Sequence, residues 1–178
     1  GTGNEAQIAE LSDGGLLTSV DAAIEDFRRA KEQGHVGMMM AGDPVHADYD
    51  HPDYDALWEC AVDLDMPLCF HILTAKRGNM EHVFRAERGH NLNAFMGIIR
   101  AVQDIVGLFT LGGVFERHPK LKLVCAEADA GWLPHYMYRM DHACFTAKDD
   151  GLLEGLSKLP SEYIRENVWA TFQDDWVA

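Results

Sequence analysis

The sequence has 178 residues, of which 47% are hydrophobic and 25% charged, so it can bury a sizeable core. Fifteen Lys and Arg stand against 29 Asp and Glu, and the net charge of -14 argues against a nucleic-acid partner and an anionic membrane surface. No apolar run reaches the roughly 18 residues that span a bilayer, and the N-terminus lacks the basic and apolar regions of a signal peptide. We therefore expect a single domain over residues 1–178, located in the cytoplasm.

Helical and strand-like segments alternate along the first third of the chain. Ser19 is a good N-cap residue, and the helix that it begins ends at Gly34. The short apolar run at 36–41 predicts a buried strand. A polar loop at 43–52 follows, and Pro52 then opens a second helix whose apolar residues recur at helical spacing.

The remaining chain repeats this alternation. The segment PLCFH, which ends at His71, predicts a second strand, and a long loop at about 72–91 follows it. A long apolar segment interrupted by glycine predicts one or two helices that end before Pro119. Further strands are predicted at about 120–126 and 167–172, with a helix and a short helical turn between them.

Strands separated by helices pair in parallel through crossover connections, and strands that are apolar throughout have both faces covered. The pattern predicts an α/β fold, either a doubly wound sheet or a (β/α)8 barrel. Both folds place their sites at the carboxyl ends of the strands. Three predicted strands carry polar residues at that position, namely His71, then Glu127, then the group Gln173, Asp174 and Asp175.

A histidine and a carboxylate that converge at this edge suit a divalent metal, with Zn²⁺ and its first-row neighbours as the candidates. Two groups are too few for a catalytic site, which usually has three protein ligands. The loop after His71 carries Lys76 and Arg77, which are candidates for binding an anionic substrate, although solvated loop charges are the simpler explanation for most cations there.

Strand side chains alternate, so Cys69 should share a side with His71, and Cys125 with Glu127. If His71 and Glu127 reach the interior of a barrel, both cysteines lie one layer beneath them. The four cysteines of the chain show no CxxC spacing, so small core residues are their simplest interpretation.

Three segments resemble a known family: PLCFH, GGVFERHPKLKLVCAEADAGWLPHYMYRMDH and PSEYIRENVWATF. They resemble the amidohydrolase-related family that includes aminocarboxymuconate semialdehyde decarboxylase. Its members are metal-dependent (β/α)8 barrels, some hydrolases and some decarboxylases. The resemblance runs from about residue 19 to the end of the chain, and it implies an internal part of a TIM barrel, strands 4 to 7.

The resemblance also implies roles for individual residues. These barrels hold one metal through a His-x-His or Glu-x-His pair after strand 1, a His after strand 5, a His after strand 6 and an Asp after strand 8. His71 matches the strand-5 ligand, and Glu127 stands where strand 6 usually carries histidine. We therefore predict His71 as a metal ligand, most simply of zinc, Glu127 as the catalytic group, and Lys76 and Arg77 as contacts to a small carboxylate-bearing substrate.

Three interpretations remain open from the sequence. The first is part of a metal-dependent hydrolase or decarboxylase. The second is a non-catalytic half-barrel whose free edges, at 36–41 and 167–172, drive self-association, most simply as a dimer. The third is a doubly wound binding domain. Candidates for the inward face of a half-barrel are Met38, Met40, Cys69 or Phe70, Cys125 and Phe172.

Overall fold

The computed structural model describes residues 7–10, 19–42, 44, 47–73, 89–147 and 155–178. Its strands are β1 (Ile8–Glu10), β2 (Gly37–Met39), β3 (Leu68–His71), β4 (Leu123–Ala126) and β5 (Val168–Ala170). Its helices are α1 (Val20–Glu32), α2 (Asp55–Asp63), α3 (Asn91–Leu111), α4 (Val114–Arg117), α5 (Leu133–Thr146) and α6 (Pro160–Asn167), and a 3-10 turn at Pro52–Tyr54 leads into α2. Within these ranges no helix is long and apolar enough to cross a membrane.

The five strands form one parallel sheet in the order of the chain, β1-β2-β3-β4-β5. The register places Met38 beside Leu68, Leu68 beside Leu123, and Leu123 beside Val168. A doubly wound sheet reverses its strand order at a switch point, and this sheet does not. The sequential parallel order is that of a barrel segment, as the predicted partial TIM barrel requires.

The described helices pack on one face of the sheet. Alternate residues of each strand point to this face and are buried there, such as Met38, Phe70 and Cys125. All six helices contribute side chains to the same core. The rings of Tyr49 and Phe70 meet edge to face at 5.7 Å between centroids. A doubly wound domain would place helices on both faces, so this packing favours the barrel segment over the binding-domain interpretation.

The second face of the sheet carries the remaining strand residues, whose side chains point in the opposite direction. A Cβ atom at Gly37 would lie 3.2 Å from Cys69 Sγ, which places both residues on this face. Trp169 on the same face is 47% exposed. In a closed barrel this face is the interior. We call it the open face. Ile8 and Trp169 on its edge strands are exposed, whereas its other residues are half-buried or buried, namely Met39, His71, Val124, Gly37 and Cys69.

Two details of the half-barrel prediction are wrong. The edge predicted at 36–41 is not free, because β1 pairs with β2 and was not predicted at all. Its three residues are too few to give a recognisable apolar run. Most of the residues predicted for the inward face lie instead in the helix-side core, namely Met38, Met40, Phe70 and Cys125. When a strand is apolar on both faces, its sequence does not show which of its residues point to which face.

Single residues set two of the helix boundaries. The hydroxyl of Ser19 accepts the N–H of Ala22 at 3.1 Å and caps α1, as the sequence predicted. The long apolar segment forms two helices, α3 and α4, because Gly113 between them has a φ of +72°. This left-handed conformation suits glycine and ends the first helix.

Candidate active site

His71 and Glu127 lie side by side at the carboxyl edge of the sheet. His71 is the last residue of β3, Glu127 directly follows β4, and the register pairs His71 with Ala126. The His71 Nε2 atom lies 3.1 Å from Glu127 Oε2. The side chains are 23% and 50% exposed, respectively, so a small molecule can reach them. The structure thus brings the two residues together, while their chemical roles stay predictions.

Glu127 reaches His71 because its backbone departs from the strand conformation. Its φ is +57°, in the left-handed region that residues with a side chain rarely adopt. Strict alternation would put Glu127 on the same side as Cys125, which is buried in the helix-side core. The left-handed residue turns the carboxylate towards the open face instead. The prediction that Cys125 and Glu127 share a side is therefore wrong.

Thr171, the first residue after β5, holds this part of the chain. Its Oγ1 accepts the N–H of Glu127 at 2.8 Å, and its own N–H donates to the carbonyl oxygen of Cys125 at 2.9 Å. The sequence analysis did not single out Thr171. The sequence feature that could have identified Thr171 is a hydroxyl side chain near the carboxyl end of a predicted strand, where side chains reach the neighbouring loop.

The backbone after β3 fixes the orientation of the His71 ring. The N–H of Leu73 donates to Nδ1 at 3.2 Å, which makes Nδ1 an acceptor. The proton of the neutral ring is therefore on Nε2, the atom that faces Glu127 Oε2. The pair forms a hydrogen bond of defined direction, with His71 as donor.

The polar residues after β5 contribute no side chain to this hydrogen bond. The carboxylate of Asp175 accepts the N–H groups of Ala130 and Gly131 at 2.8 and 2.6 Å. These backbone donors hold the pKa of Asp175 below its usual value. Gln173 and Asp174 are exposed. Asp175 therefore binds the backbone of the turn after β4.

Other candidates from the sequence lie elsewhere. Lys76 and Arg77 fall outside the described residues, so their role as substrate contacts stays a prediction. His118 is buried and lies 3.0 Å from Asp55 Oδ1, which also accepts a hydrogen bond from Arg117. This cluster ties the end of α4 to the beginning of α2 and serves the packing of the helices.

The buried cysteines are poor candidates for ligands or nucleophiles. Burial raises the pKa of the Cys69 thiol to about 11 and that of the Cys125 thiol to about 12. Metal binding and nucleophilic attack both require the thiolate. Both residues are therefore core residues, and only Cys69 lies beneath His71 on the open face.

The pair can supply two ligands to a metal ion. Two ligand atoms of one tetrahedral zinc ion, each at about 2.0–2.2 Å from the metal, lie about 3.3–3.6 Å apart, slightly farther than the 3.1 Å between His71 Nε2 and Glu127 Oε2. Among the described residues no group of three or more His, Cys, Asp or Glu side chains can hold an ion. The pair thus fits part of a shell that needs at least one further donor. Binding at Nε2 would also shift the ring proton to Nδ1, so the Leu73 N–H would have to turn away.

A cavity of about 660 Å³ lies beside α3. Gly42 and Asp48 from the loop after β2 line it, together with Arg100 and Asp104 from α3 and Tyr136 from α5. The volume is sufficient for a small molecule. Its described lining includes neither His71 nor Glu127, so this cavity is not the space in which the pair would act.

Comparison with known proteins identifies the family. The family model for amidohydrolases matches residues 14–176, which is nearly the whole chain. The chain belongs to the amidohydrolase family. The match includes β2 to β5 and both residues of the pair, and it confirms the family resemblance of the sequence.

Relatives of known structure and name are about twice as long as this chain. The curated protein decarboxylase orsB of Emericella nidulans is 27% identical over 185 residues, covering 96% of this chain and 54% of the relative. The structure of 5-carboxyvanillate decarboxylase LigW from Sphingomonas paucimobilis has a TM-score of 0.66 at 24% identity, covering 85% of this chain and 44% of that chain. The 5-carboxyvanillate decarboxylase of Novosphingobium aromaticivorans, solved with bound manganese, has a TM-score of 0.69 at 17% identity, covering 94% and 47%. The chain therefore spans about half the length of these relatives, and its fold is part of the same barrel.

Proposed function

We propose that this chain is part of a divalent-metal-dependent enzyme that decarboxylates a small carboxylate-bearing molecule. The observation that carries the proposal is the His71–Glu127 pair at the carboxyl ends of adjacent strands, in a chain of the amidohydrolase family. The named relatives reported above are decarboxylases, which favours loss of CO₂ over hydrolysis. Their substrate names favour an aromatic acid as the class of substrate.

In this proposal His71 is a metal ligand, and further ligands come from other parts of the assembled enzyme. A cation held there would supply electrostatic stabilisation to the negative charge that develops on the substrate. Imidazole and carboxylate donors suit zinc, the metal favoured by the sequence. The manganese in the Novosphingobium structure makes manganese the second candidate.

Glu127 is the proposed catalytic residue. Decarboxylation breaks the bond between the carboxyl carbon and the substrate, releases CO₂ and leaves an electron pair that takes up one proton. The Glu127 carboxyl group is half exposed and lies beside His71, so it is placed to relay that proton from solvent to the substrate carbon. Lys76 and Arg77 are proposed to bind the substrate carboxylate from the loop after β3.

The test measures CO₂ release from hydroxylated benzoic acids in the longest natural protein that contains this chain, with Mn²⁺ or Zn²⁺ supplied. We expect His71→Ala and Glu127→Gln each to lower kcat/KM by about a hundredfold or more, because each removes a group that acts on the reaction. His135→Ala on α5 and Glu59→Gln on α2 change exposed residues of the same types and should leave it unchanged. Full activity of His71→Ala, or hydrolysis without CO₂ release, would contradict the proposal.

A second candidate function is a non-catalytic half-barrel that associates with another copy. The open face favours it, because Trp169 and Ile8 are exposed there and β1 and β5 are the two edges of the described sheet. The net charge of -14 supports the absence of nucleic-acid and anionic-membrane partners in either case. Binding of metal through His71 distinguishes the catalytic protein from the non-catalytic one.

A further inference from the structure

The segment after β5 binds the turn that carries Glu127. Thr171 Oγ1 accepts the N–H of Glu127 at 2.8 Å, and Asp175 Oδ2 accepts the N–H groups of Ala130 and Gly131 at 2.8 and 2.6 Å. Three backbone donors between Glu127 and Gly131 are therefore bound by two side chains of one segment. We call residues 171–177 the clamp segment.

The clamp segment lies in close contact with the turn. A Cβ atom at Gly131 would lie 2.6 Å from Val177 Cβ and 2.9 Å from Asp175 Oδ1, so only glycine fits there without a shift of the chain. The N–H of Val177 donates to Asp175 Oδ1 at 3.0 Å, which orients the carboxylate. Gly131 therefore leaves room for the clamp segment, and the oriented carboxylate of Asp175 accepts the hydrogen bonds of the turn.

The turn between the two anchors is strained. Glu127 and Asp129 have φ values of +57° and +55°, and neither is glycine. Such conformations are unfavourable for residues with a side chain and persist only where the surroundings hold them. Thr171 binds the first residue of this turn, and Asp175 binds its far end. The two anchors therefore bracket both left-handed residues.

We propose that Thr171 and Asp175 are positioning residues, which hold Glu127 in its left-handed conformation so that its carboxylate faces His71. The inference rests on the proposed function, because the position of Glu127 matters to a reaction only if Glu127 acts in it. Without the clamp segment, Glu127 relaxes towards the extended backbone, and alternation then directs its side chain away from His71. The segment after β5 thereby sets the backbone conformation and side-chain direction of Glu127, which follows β4.

The test uses nuclear magnetic resonance of the ¹⁵N-labelled chain and needs no enzymatic activity. Thr171→Val removes the hydroxyl acceptor at nearly constant shape, and Thr171→Ser keeps it. Asp175→Ala removes the second anchor, and Asp174→Ala removes the exposed neighbouring carboxylate as its matched control. The readouts are the exchange rate of the Glu127 amide proton and the chemical shifts of the His71 ring nitrogens.

We expect Thr171→Val to speed exchange of the Glu127 amide proton about tenfold, because this N–H loses its hydrogen-bond acceptor. The His71 ring nitrogens should shift in the same variant as Nε2 loses Glu127, whereas Thr171→Ser should resemble the native chain. Asp175→Ala should also shift them, and Asp174→Ala should not. If Thr171→Val does not fold, the comparison of Asp175→Ala with Asp174→Ala tests the inference.

Unchanged His71 ring shifts in Thr171→Val and Asp175→Ala would overturn the inference, even if amide exchange rises. Equal effects of Thr171→Ser and Thr171→Val would overturn it as well. A failed proposed function gives a different pattern, in which the ring shifts respond as expected while the decarboxylation assay shows no dependence on His71.

Discussion

Glu127 is the residue in which backbone strain and proposed chemistry coincide. Its left-handed φ of +57° carries the carboxylate across to His71, so the conformation is the reason that the pair exists. A left-handed residue with a side chain costs about 1–2 kcal/mol relative to the usual conformations. Strain of this kind is found at functional sites, where the surrounding structure holds it. The same residue should therefore limit stability and support activity.

Comparison of Glu127→Gly with Glu127→Ala tests this at the residue scale. Both variants lose the carboxylate, but only glycine takes the left-handed conformation without penalty. We expect Glu127→Gly to have a free energy of unfolding about 1 kcal/mol above that of Glu127→Ala, measured by urea denaturation. Both variants should be inactive. An alanine variant as stable as the glycine variant would show that the site is not strained.

At the scale of the elements, one carboxylate joins three parts of the helix layer. Glu116 in α4 accepts hydrogen bonds from the N–H and hydroxyl of Ser157, at 3.2 and 2.9 Å, and from the hydroxyl of Tyr163 in α6. The hydroxyl of Tyr163, followed by Ser157, holds the pKa of Glu116 below its usual value. The ionised form of Glu116 therefore stabilises the packing of α4 against α6.

The pH dependence of Glu116→Gln follows from this lowered pKa. The stabilisation is fully present above the ordinary glutamate pKa of 4.5 and is lost as the pH falls through the lower value of the folded chain. We expect the difference in free energy of unfolding between native chain and variant to be constant from about pH 7 to 5 and to shrink below about pH 4. Urea denaturation at each pH measures it, with Glu59→Gln as the control. An undiminished difference at about pH 3 would contradict this role.

The sequence predicts the strands and helices better than the direction of individual side chains and the contacts between distant residues. His71 and Glu127 follow apolar runs, so their place at the carboxyl edge was predictable from the rule that parallel folds carry their sites there. The side of the sheet on which Cys125 lies was not predictable, because β4 is apolar on both faces. The turn at Glu127 breaks the alternation, and the hydroxyl that holds it comes from Thr171, 44 residues away. Contacts over such distances leave no periodic signal in a single sequence.

At the scale of the whole molecule, the two faces of the described sheet differ: the open face is exposed at its two edge strands, although Cys69 at its centre is buried. The described helices pack against one side, and Trp169 on the other side is 47% exposed. Phe172 and Trp176, which follow β5, are also exposed. Apolar surface of this kind is rare on soluble monomers beyond a few hundred Å². We therefore propose that the open face is covered by protein, and for this chain alone the simplest cover is a second copy.

Sedimentation of the chain at micromolar concentration measures its association. We expect a dimer, and we expect Trp169→Asp on the open face to shift it towards monomer, because the change places a charge in an apolar contact. Tyr138→Asp removes an exposed aromatic side chain from α5, in the helix layer, and should leave the dimer intact. A native chain that is monomeric and well folded would contradict association through the open face, as would equal effects of the two variants.

The central claim is that His71 binds a divalent metal at the carboxyl edge of this barrel segment. Its most direct test is Mn²⁺ binding by electron paramagnetic resonance, in the longest natural protein that contains this chain. We predict a nitrogen coupling from a bound imidazole that disappears in His71→Ala, together with a loss of affinity of about a hundredfold or more, while His135→Ala matches the native protein. Equal Mn²⁺ affinity and an unchanged nitrogen coupling in His71→Ala would contradict the claim.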